Sequence, residues 1–140
     1  MIRQLAHNCF YSENVDDMCH FYHVVLGLKV KFTLKNEAGI DFGYYLECGN
    51  STFIELFDKK KANAEWSGDK NPLIHGNYFR HFCLEVVDLE DFVKQITLKN
   101  WKISGITIGK DNAKQAWISD PDGNLIELIQ YTNESLQLQK

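Results

Sequence analysis

Hydrophobic and polar residues alternate along several short stretches of the chain, which is the period expected of half-buried β-strands. The clearest run covers residues 28–35, where Leu28, Val30, Phe32 and Leu34 alternate with Lys29, Lys31, Thr33 and Lys35. Comparable runs predict further strands over about 3–11, 40–48 and 51–57. A helix is predicted over about 15–25, with Asn14 as its N-cap and Gly27 at its end, because glycine suits the left-handed C′ position.

The second half of the chain has the same predicted order of elements. A strand over about 80–87 is followed by a helix over about 88–99 and by strands near 101–108, 113–119 and 124–131. The run Asp120-Pro121-Asp122-Gly123 predicts a tight turn between the last two strands, since proline presets one central residue and glycine accepts positive φ. The tail from Asn133 is expected to be loose.

Two groups of residues recur at nearly equal offsets. His7-Asn8-Cys9 returns as His81-Phe82-Cys83, and Phe53-Ile54-Glu55-Leu56-Phe57 returns as Leu125-Ile126-Glu127-Leu128-Ile129. Such a repeat predicts two tandem copies of one supersecondary unit that need each other to bury their apolar faces. We therefore expect a single α+β domain over 1–140, with module one at about 1–58, a linker or lid at about 59–78 containing Gly68, Pro72 and Gly76, and module two at about 79–132.

Composition narrows the class of protein. The 140 residues suit one compact domain, and the formal net charge of −4, with lysines scattered except at 59–61, predicts no nucleic-acid partner. No apolar run reaches the roughly 20 residues that a membrane span needs, and no secretory signal is recognisable, so we expect a cytoplasmic protein. The four cysteines form no Cys-x-x-Cys pair and are predicted to be reduced core thiols.

The repeat places one histidine and one glutamate at matching strand positions in each copy: His7 and Glu55, then His81 and Glu127. Both glutamates have apolar neighbours on their own strand face, where an unpaired carboxylate would be costly. Any one of these residues alone is better explained as an ordinary half-buried strand residue, but their paired placement favours four ligands of one metal. Imidazole nitrogen and carboxylate oxygen suit Zn²⁺, Ni²⁺, Co²⁺, Mn²⁺ or Fe²⁺.

Two longer motifs resemble the vicinal oxygen chelate superfamily over about residues 3–131. Its helix-ending motif is similar to Phe21-Tyr22-His23-Val24-Val25-Leu26-Gly27-Leu28, and its C-terminal signature is similar to Asp120-Pro121-Asp122-Gly123-Asn124-Leu125-Ile126-Glu127-Leu128. The resemblance implies the glyoxalase/bleomycin resistance/dioxygenase fold, in which tandem βαβββ modules form a half-open mixed β-barrel.

Within that superfamily the order His, Glu, His, Glu is similar to the glyoxalase I (lactoylglutathione lyase) branch. The resemblance implies that His7, Glu55, His81 and Glu127 hold one divalent ion per site, nickel or zinc first and cobalt, manganese or iron as alternatives. It also implies a homodimer, with the site shared between chains or completed within one. The implied reaction is that of a carbon-sulfur lyase, which isomerises a hemithioacetal through an enediolate with Glu127 as the mobile base and Glu55 as its counterpart.

Substrate recognition departs from the glutathione-using relatives. They carry arginine four residues after the first histidine and asparagine four after the first glutamate, where this chain has Tyr11 and Lys59. The small-molecule substrate could therefore be the adduct of a different thiol or another compound with vicinal oxygens. We expect substrate contacts from Tyr11, Phe57, Gln115 and Trp117.

Alternative functions use the same fold. The chain could be a metal-free or metal-assisted binding or resistance protein that holds a flat ligand against Trp117, Tyr11, Phe57 and Tyr45. It could also be an epimerase or a dioxygenase of the superfamily. Epimerase relatives usually have Gln where this chain has Glu55, and extradiol dioxygenases use only three protein ligands. Metal content separates an enzyme of the glyoxalase I type from a metal-free binder.

Overall fold

The structure is a computed structural model that describes residues 5–65 and 81–139. The chain divides into two compact units, Met1–Asn77 and Tyr78–Lys140. No helix in the described ranges is long and apolar enough to cross a membrane.

Unit one contains a four-stranded mixed sheet in the order β1-β4-β3-β2. Strands β1 and β4 are parallel, whereas β3 pairs antiparallel with both β4 and β2. The last element, helix α2, follows β4 directly. The elements are β1 His7–Ser12, α1 Val15–His20 continued by a π-helical turn Phe21–Val25, β2 Lys29–Lys35, β3 Asp41–Gly49, β4 Thr52–Asp58 and α2 Lys59–Glu65.

The two faces of this sheet have different surroundings. Helix α1 contacts β1 and β4, and the Tyr44 hydroxyl donates to Asp16 of that helix at 3.0 Å. Because strand side chains alternate between faces, Tyr45 projects from the opposite face, together with its register partner Glu55. The helix side is the core of the unit and contains the fully buried Met18, Phe21, Tyr22, Leu46 and Leu56.

Unit two repeats the topology, with the sheet order β5-β8-β7-β6 and a parallel β5–β8 pair. Helix α3 begins at its N-cap Asp88, whose carboxylate accepts a hydrogen bond from the Asp91 amide. The predicted α+β class with two tandem βαβββ modules is confirmed. The elements are β5 Phe82–Glu85, α3 Leu89–Leu98, β6 Thr107–Ile108, β7 Lys114–Ser119, β8 Leu125–Gln130 and a 3₁₀ turn Leu136–Leu138.

Most elements lie where they were predicted, and the first helix ends before Gly27, whose φ is +82°. The strand predicted near 101–108 is wrong over most of its length, since only Thr107–Ile108 forms a strand and Ile103 makes a single isolated bridge to Ile118. Asn14 occupies the N-cap position, but its side chain bonds the Asp17 carboxylate and not a backbone amide. The segment expected as a linker, about 59–78, starts with α2, and the rest of it, from residue 66, is not described. Gly68, Pro72 and Gly76 therefore lie outside the described residues.

The expectation of a loose C-terminal tail is wrong. The amide of Leu136 donates to the Asp111 carbonyl at 2.9 Å, and the Ser135 hydroxyl, on a fully buried residue, accepts from the Thr132 amide at 2.8 Å. The Asn112 side-chain amide also donates to the Glu134 carbonyl at 3.2 Å, so backbone and side-chain hydrogen bonds tie the tail to the turn before β7. A pattern of hydrophobic residues alone does not reveal such hydrogen bonds.

Candidate functional site

The parallel pairing of β1 with β4 brings the first histidine to the first glutamate. The register places Cys9 opposite Glu55 and His7 opposite Phe53. His7 Nδ1 consequently lies 3.2 Å from Glu55 Oε1. The glutamate side chain is 7% exposed and the histidine side chain 50%, so the carboxylate is buried while the ring remains accessible.

The second unit builds the same pair. Cys83 lies opposite Glu127 in the parallel β5–β8 register, and His81 immediately precedes β5. His81 Nε2 lies 3.2 Å from Glu127 Oε2, with the two side chains 30% and 15% exposed. The four residues predicted as ligands therefore come together as two pairs, each within one unit. No group of three or more metal-binding side chains assembles within 5–65 and 81–139.

The chemistry of both pairs fits a divalent metal. Two donor atoms about 2.1 Å from one ion lie about 3.0 Å apart at an octahedral angle and about 3.4 Å apart at a tetrahedral one. The observed separations of 3.2 Å fall between these values. The other ring nitrogen of His81, the buried Nδ1, does not face Glu127 and has no hydrogen-bond partner within the described chain.

Two cysteines complete the immediate surroundings of the carboxylates. Burial, followed by the charge of and a hydrogen bond to Glu55, raises the pKa of Cys9 to about 12. Burial, the charge of Glu127 and a hydrogen bond to it likewise raise the pKa of Cys83 to about 12. All four cysteines are free thiols, but Cys9 and Cys83 are exposed as residues and the other two are only partly buried, so the expectation of core thiols is wrong. Each lies two residues after a histidine and thus shares its strand face.

The two glutamates face different residues on the neighbouring antiparallel strand, which is β3 in unit one and β7 in unit two. Glu55 faces Tyr45 on β3, and burial together with a hydrogen bond to Glu55 raises the pKa of Tyr45 to about 12. Glu127 faces Trp117 on β7. The Trp117 ring meets the His81 ring edge-on, with centroids 4.9 Å apart and planes at 86°. Sequence reasoning missed both the cysteines and Tyr45 as neighbours of the carboxylates, although the repeated His-x-Cys pattern pointed to the cysteines.

The residues predicted to contact substrate occupy different environments. Tyr11 and Phe57 are register partners and pack edge-to-face with centroids 6.0 Å apart. Phe57 is only 4% exposed and belongs to an apolar cluster with Phe42 and Ala62. Tyr11 is the more accessible of the two and borders this cluster. Substrate contact by either ring stays a prediction.

In unit two, Gln115 and Trp117 lie two residues apart on β7 and share one strand face. A cavity of about 450 Å³ opens beside Trp117 and is lined among others by Trp101, Ile103 and Leu125. The Trp101 indole donates to the Ser119 carbonyl at 3.0 Å, and this bond holds the Trp101 ring in place as part of the cavity lining. Trp117 thus joins the His81–Glu127 pair to an adjacent, mostly apolar cavity.

Comparisons with known proteins agree with this architecture. Residues 4–128 match the family model of the glyoxalase/bleomycin resistance protein/dioxygenase superfamily. No curated protein sequence matches the chain.

Solved structures show the fold at low sequence identity. A lactoylglutathione lyase from Agrobacterium tumefaciens is 20% identical, with 91% of this chain and 92% of that chain covered and a TM-score of 0.67. TnmS3, an antibiotic binding protein from Streptomyces sp. CB03234, is 19% identical, with 94% and 98% covered and a TM-score of 0.71. A glyoxalase family protein from Enterococcus faecalis is 20% identical, with 91% and 97% covered and a TM-score of 0.66. On the family match over most of its length, the chain belongs to the glyoxalase/bleomycin resistance protein/dioxygenase superfamily.

Proposed function

We propose that this protein is a metal-dependent lyase or isomerase of the glyoxalase I type. Its substrate is a hemithioacetal or a related compound with vicinal oxygens, and the reaction proceeds through an enediolate. The observation that carries the proposal is the duplicated histidine–glutamate pair, with 3.2 Å between nitrogen and oxygen in both units. His7, Glu55, His81 and Glu127 would hold one divalent ion, nickel or zinc first and cobalt, manganese or iron as alternatives.

The bound metal would supply Lewis-acid stabilisation of negative charge developing on the substrate oxygens. Glu127 takes the proton from the substrate carbon and returns it to the neighbouring carbon, while Glu55 is its counterpart in the other unit. The Glu127 side chain is 15% exposed and that of Glu55 7%, which favours Glu127 as the carboxylate that moves. Trp117 packs edge-to-face with His81 and would shield that side of the pair from water when substrate is bound.

The substrate is held by side chains on the strand faces that carry the pairs. Three of these side chains are partly exposed: Tyr11 in unit one, and Gln115 and Trp117 in unit two. Phe57 is buried and packs against the Tyr11 ring. The apolar cavity beside Trp117 suits the nonpolar part of a small molecule. The usual arginine and asparagine for glutathione are replaced by Tyr11 and Lys59, so the thiol component is left open.

Metal analysis tests the proposal directly. The metal-to-chain ratio of protein purified without added metal is measured for wild type, His7→Ala and Glu127→Ala. We expect a stoichiometric divalent metal in wild type and its loss in both variants. His20→Ala and Glu37→Ala remove an exposed histidine and an exposed glutamate elsewhere and serve as controls. Unchanged metal content in His7→Ala and Glu127→Ala contradicts the assignment.

A binding protein without catalysis is the second candidate. Its support is the aromatic lining of the sheet face in unit one, where the half-exposed Phe32 stacks on Tyr45 with centroids 4.3 Å apart and planes at 20°. One solved relative is an antibiotic binding protein. Such a binder would purify without stoichiometric metal and would bind a flat ligand with quenching of aromatic fluorescence.

Assembly and location complete the proposal. The resemblance to the glyoxalase I branch implies a homodimer, and we propose that assembly here, with ligands from one chain or two. We also propose a cytoplasmic location, where the four free cysteines would stay reduced. Size-exclusion chromatography coupled to light scattering tests the dimer.

A further inference from the structure

The two histidine–glutamate pairs share three features. Nitrogen and oxygen are 3.2 Å apart in both. In unit one the strand of the glutamate is parallel to the strand that carries the histidine. In unit two it is parallel to the strand that directly follows the histidine. Each glutamate also has a cysteine thiol beside its carboxylate. The pairs differ in the ring nitrogen that faces the carboxylate, Nδ1 in His7 and Nε2 in His81, and in a further neighbour of each glutamate.

That neighbour lies on the antiparallel strand. Tyr45 is the register partner of Glu55, and Trp117 is the register partner of Glu127. Side chains directly opposite each other in an antiparallel pair lie within contact distance. Burial, followed by a hydrogen bond to Glu55 and the charge of Glu55, raises the pKa of Tyr45, whereas Trp117 has no titrating group and packs edge-to-face with the His81 ring. The glutamate facing the phenol is also the more buried of the two.

The Tyr45 ring is itself held in place by other aromatic rings. It stacks on Phe32, and it meets Phe53 and Phe57 edge-on with centroids 6.2 Å and 6.3 Å apart. A ring contacted from three directions has few alternative rotamers, so its hydroxyl is already oriented before any ligand binds. A hydrogen bond from an oriented donor to a carboxylate is among the stronger ones in proteins.

We propose that Tyr45 is a positioning residue that holds the Glu55 carboxylate in one orientation beside His7. The two glutamates of the site are then unequal. Glu55 loses a charge-assisted hydrogen bond if it swings away, and it acts as a fixed donor. Glu127 has no phenol opposite it and is the carboxylate free to move. The assignment of metal-donor roles rests on the proposed function, whereas the restraint of Glu55 by Tyr45 does not.

The restraint is tested on the metal-free chain by carbodiimide labelling of carboxylates, followed by peptide mass spectrometry. In wild type we expect Glu127 to be labelled faster than Glu55. In Tyr45→Phe the ring stays but the hydroxyl is lost, and the rate at Glu55 should rise about tenfold towards that of Glu127. Tyr44→Phe is the matched control, since it removes a hydroxyl from the adjacent residue on the opposite face.

Metal binding provides the second measurement, with Zn²⁺ titrated by calorimetry and Co²⁺ followed by its visible spectrum. Loss of an outer partner of a metal ligand typically weakens affinity by about 10–100-fold. We expect that loss, and an altered Co²⁺ spectrum, in Tyr45→Phe and neither change in Tyr44→Phe. Thermal unfolding of both variants checks that the fold is intact.

The outcomes separate this inference from the proposed function. An unchanged labelling rate at Glu55 in Tyr45→Phe, or an equal change in Tyr44→Phe, overturns the positioning role. Wild type that binds no Zn²⁺ contradicts the proposed function, while the labelling result still decides the role of Tyr45. If wild type and Tyr45→Phe bind Zn²⁺ with equal affinity, the inference is overturned and the proposed function is unaffected.

Discussion

His81 Nε2 lies 3.2 Å from Glu127 Oε2, and the Glu127 side chain is about twice as exposed as that of Glu55, at 15% against 7%. A carboxylate that is paired with a histidine and still has open space can release its partner and approach a bound molecule. This greater exposure is why we propose Glu127, and not Glu55, as the mobile base.

The first prediction concerns the roles of the two glutamates. Glu127→Gln keeps an oxygen donor but removes the base, so we expect metal to be retained and exchange of the substrate's carbon-bound proton with solvent to fall by about 10²-fold or more. Glu55→Gln is the comparison and should reduce this exchange less. The assay follows loss of deuterium from a labelled hemithioacetal by NMR. If metal-loaded Glu127→Gln still exchanges this proton at the wild-type rate, Glu127 is not the base and Glu55 becomes the next candidate.

The second prediction concerns the thiol component. Lys59 Nζ pairs with Glu13 at 3.0 Å and Tyr11 packs on Phe57, so neither side chain reproduces the arginine–asparagine clamp of glutathione-using relatives. We expect turnover of the methylglyoxal–glutathione hemithioacetal to be poor with every metal tried. The measurement is kcat/KM with glutathione and with other thiols. A value near the diffusional ceiling of about 10⁸ M⁻¹s⁻¹ with glutathione would show the prediction to be wrong.

The third prediction concerns packing beneath the aromatic face. Gly43 is the register partner of Phe57, and a Cβ at Gly43 would collide with the Cδ1 and Cε1 atoms of that ring. Gly43→Ala should therefore lower the free energy of unfolding by about 1–3 kcal/mol, the usual cost of overpacking. Gly105→Ala is the control, since a Cβ there meets no atom within 4 Å. Chemical denaturation of both variants measures the difference, and equal stabilities would contradict this account of the contact.

The fourth prediction concerns alkaline pH. Burial, followed by a hydrogen bond to Asp16 and that residue's charge, raises the pKa of Tyr44 to about 12. The unfolded chain releases this proton near pH 10, so between about pH 10 and 12 the folded protein binds more protons and its stability falls as pH rises. Below pH 10 the contribution is fully present.

Tyr44→Phe removes that titration. We expect its free energy of unfolding to fall less steeply between about pH 10 and 12 than that of wild type, as measured by urea denaturation at a series of pH values. Ser104→Ala, which changes a nontitrating hydroxyl in unit two, should keep the wild-type slope. Parallel curves for wild type and Tyr44→Phe would show that this tyrosine does not titrate differently in the folded state.

The sequence by itself determined the repeat, the βαβββ order of each module and the residue types of the candidate site. These features are local: period-two alternation marks a strand wherever it occurs, and glycine ends the first helix because of its own backbone freedom. A histidine and a glutamate at matching positions in two copies were visible without any knowledge of packing. Their pairing within each unit followed from the shared topology.

Only the tertiary structure decided what surrounds each carboxylate. Cys9 reaches Glu55 through parallel pairing of β1 with β4, and Tyr45 reaches the same carboxylate through antiparallel pairing of β3 with β4. The tail is fastened to Asp111 by the same kind of distant contact. Strand register is set by the packing of whole faces and by turn geometry, so residues far apart in sequence become neighbours without a local signal. The difference between a glutamate facing Tyr45 and one facing Trp117 thus arises from register and not from the repeated motif itself.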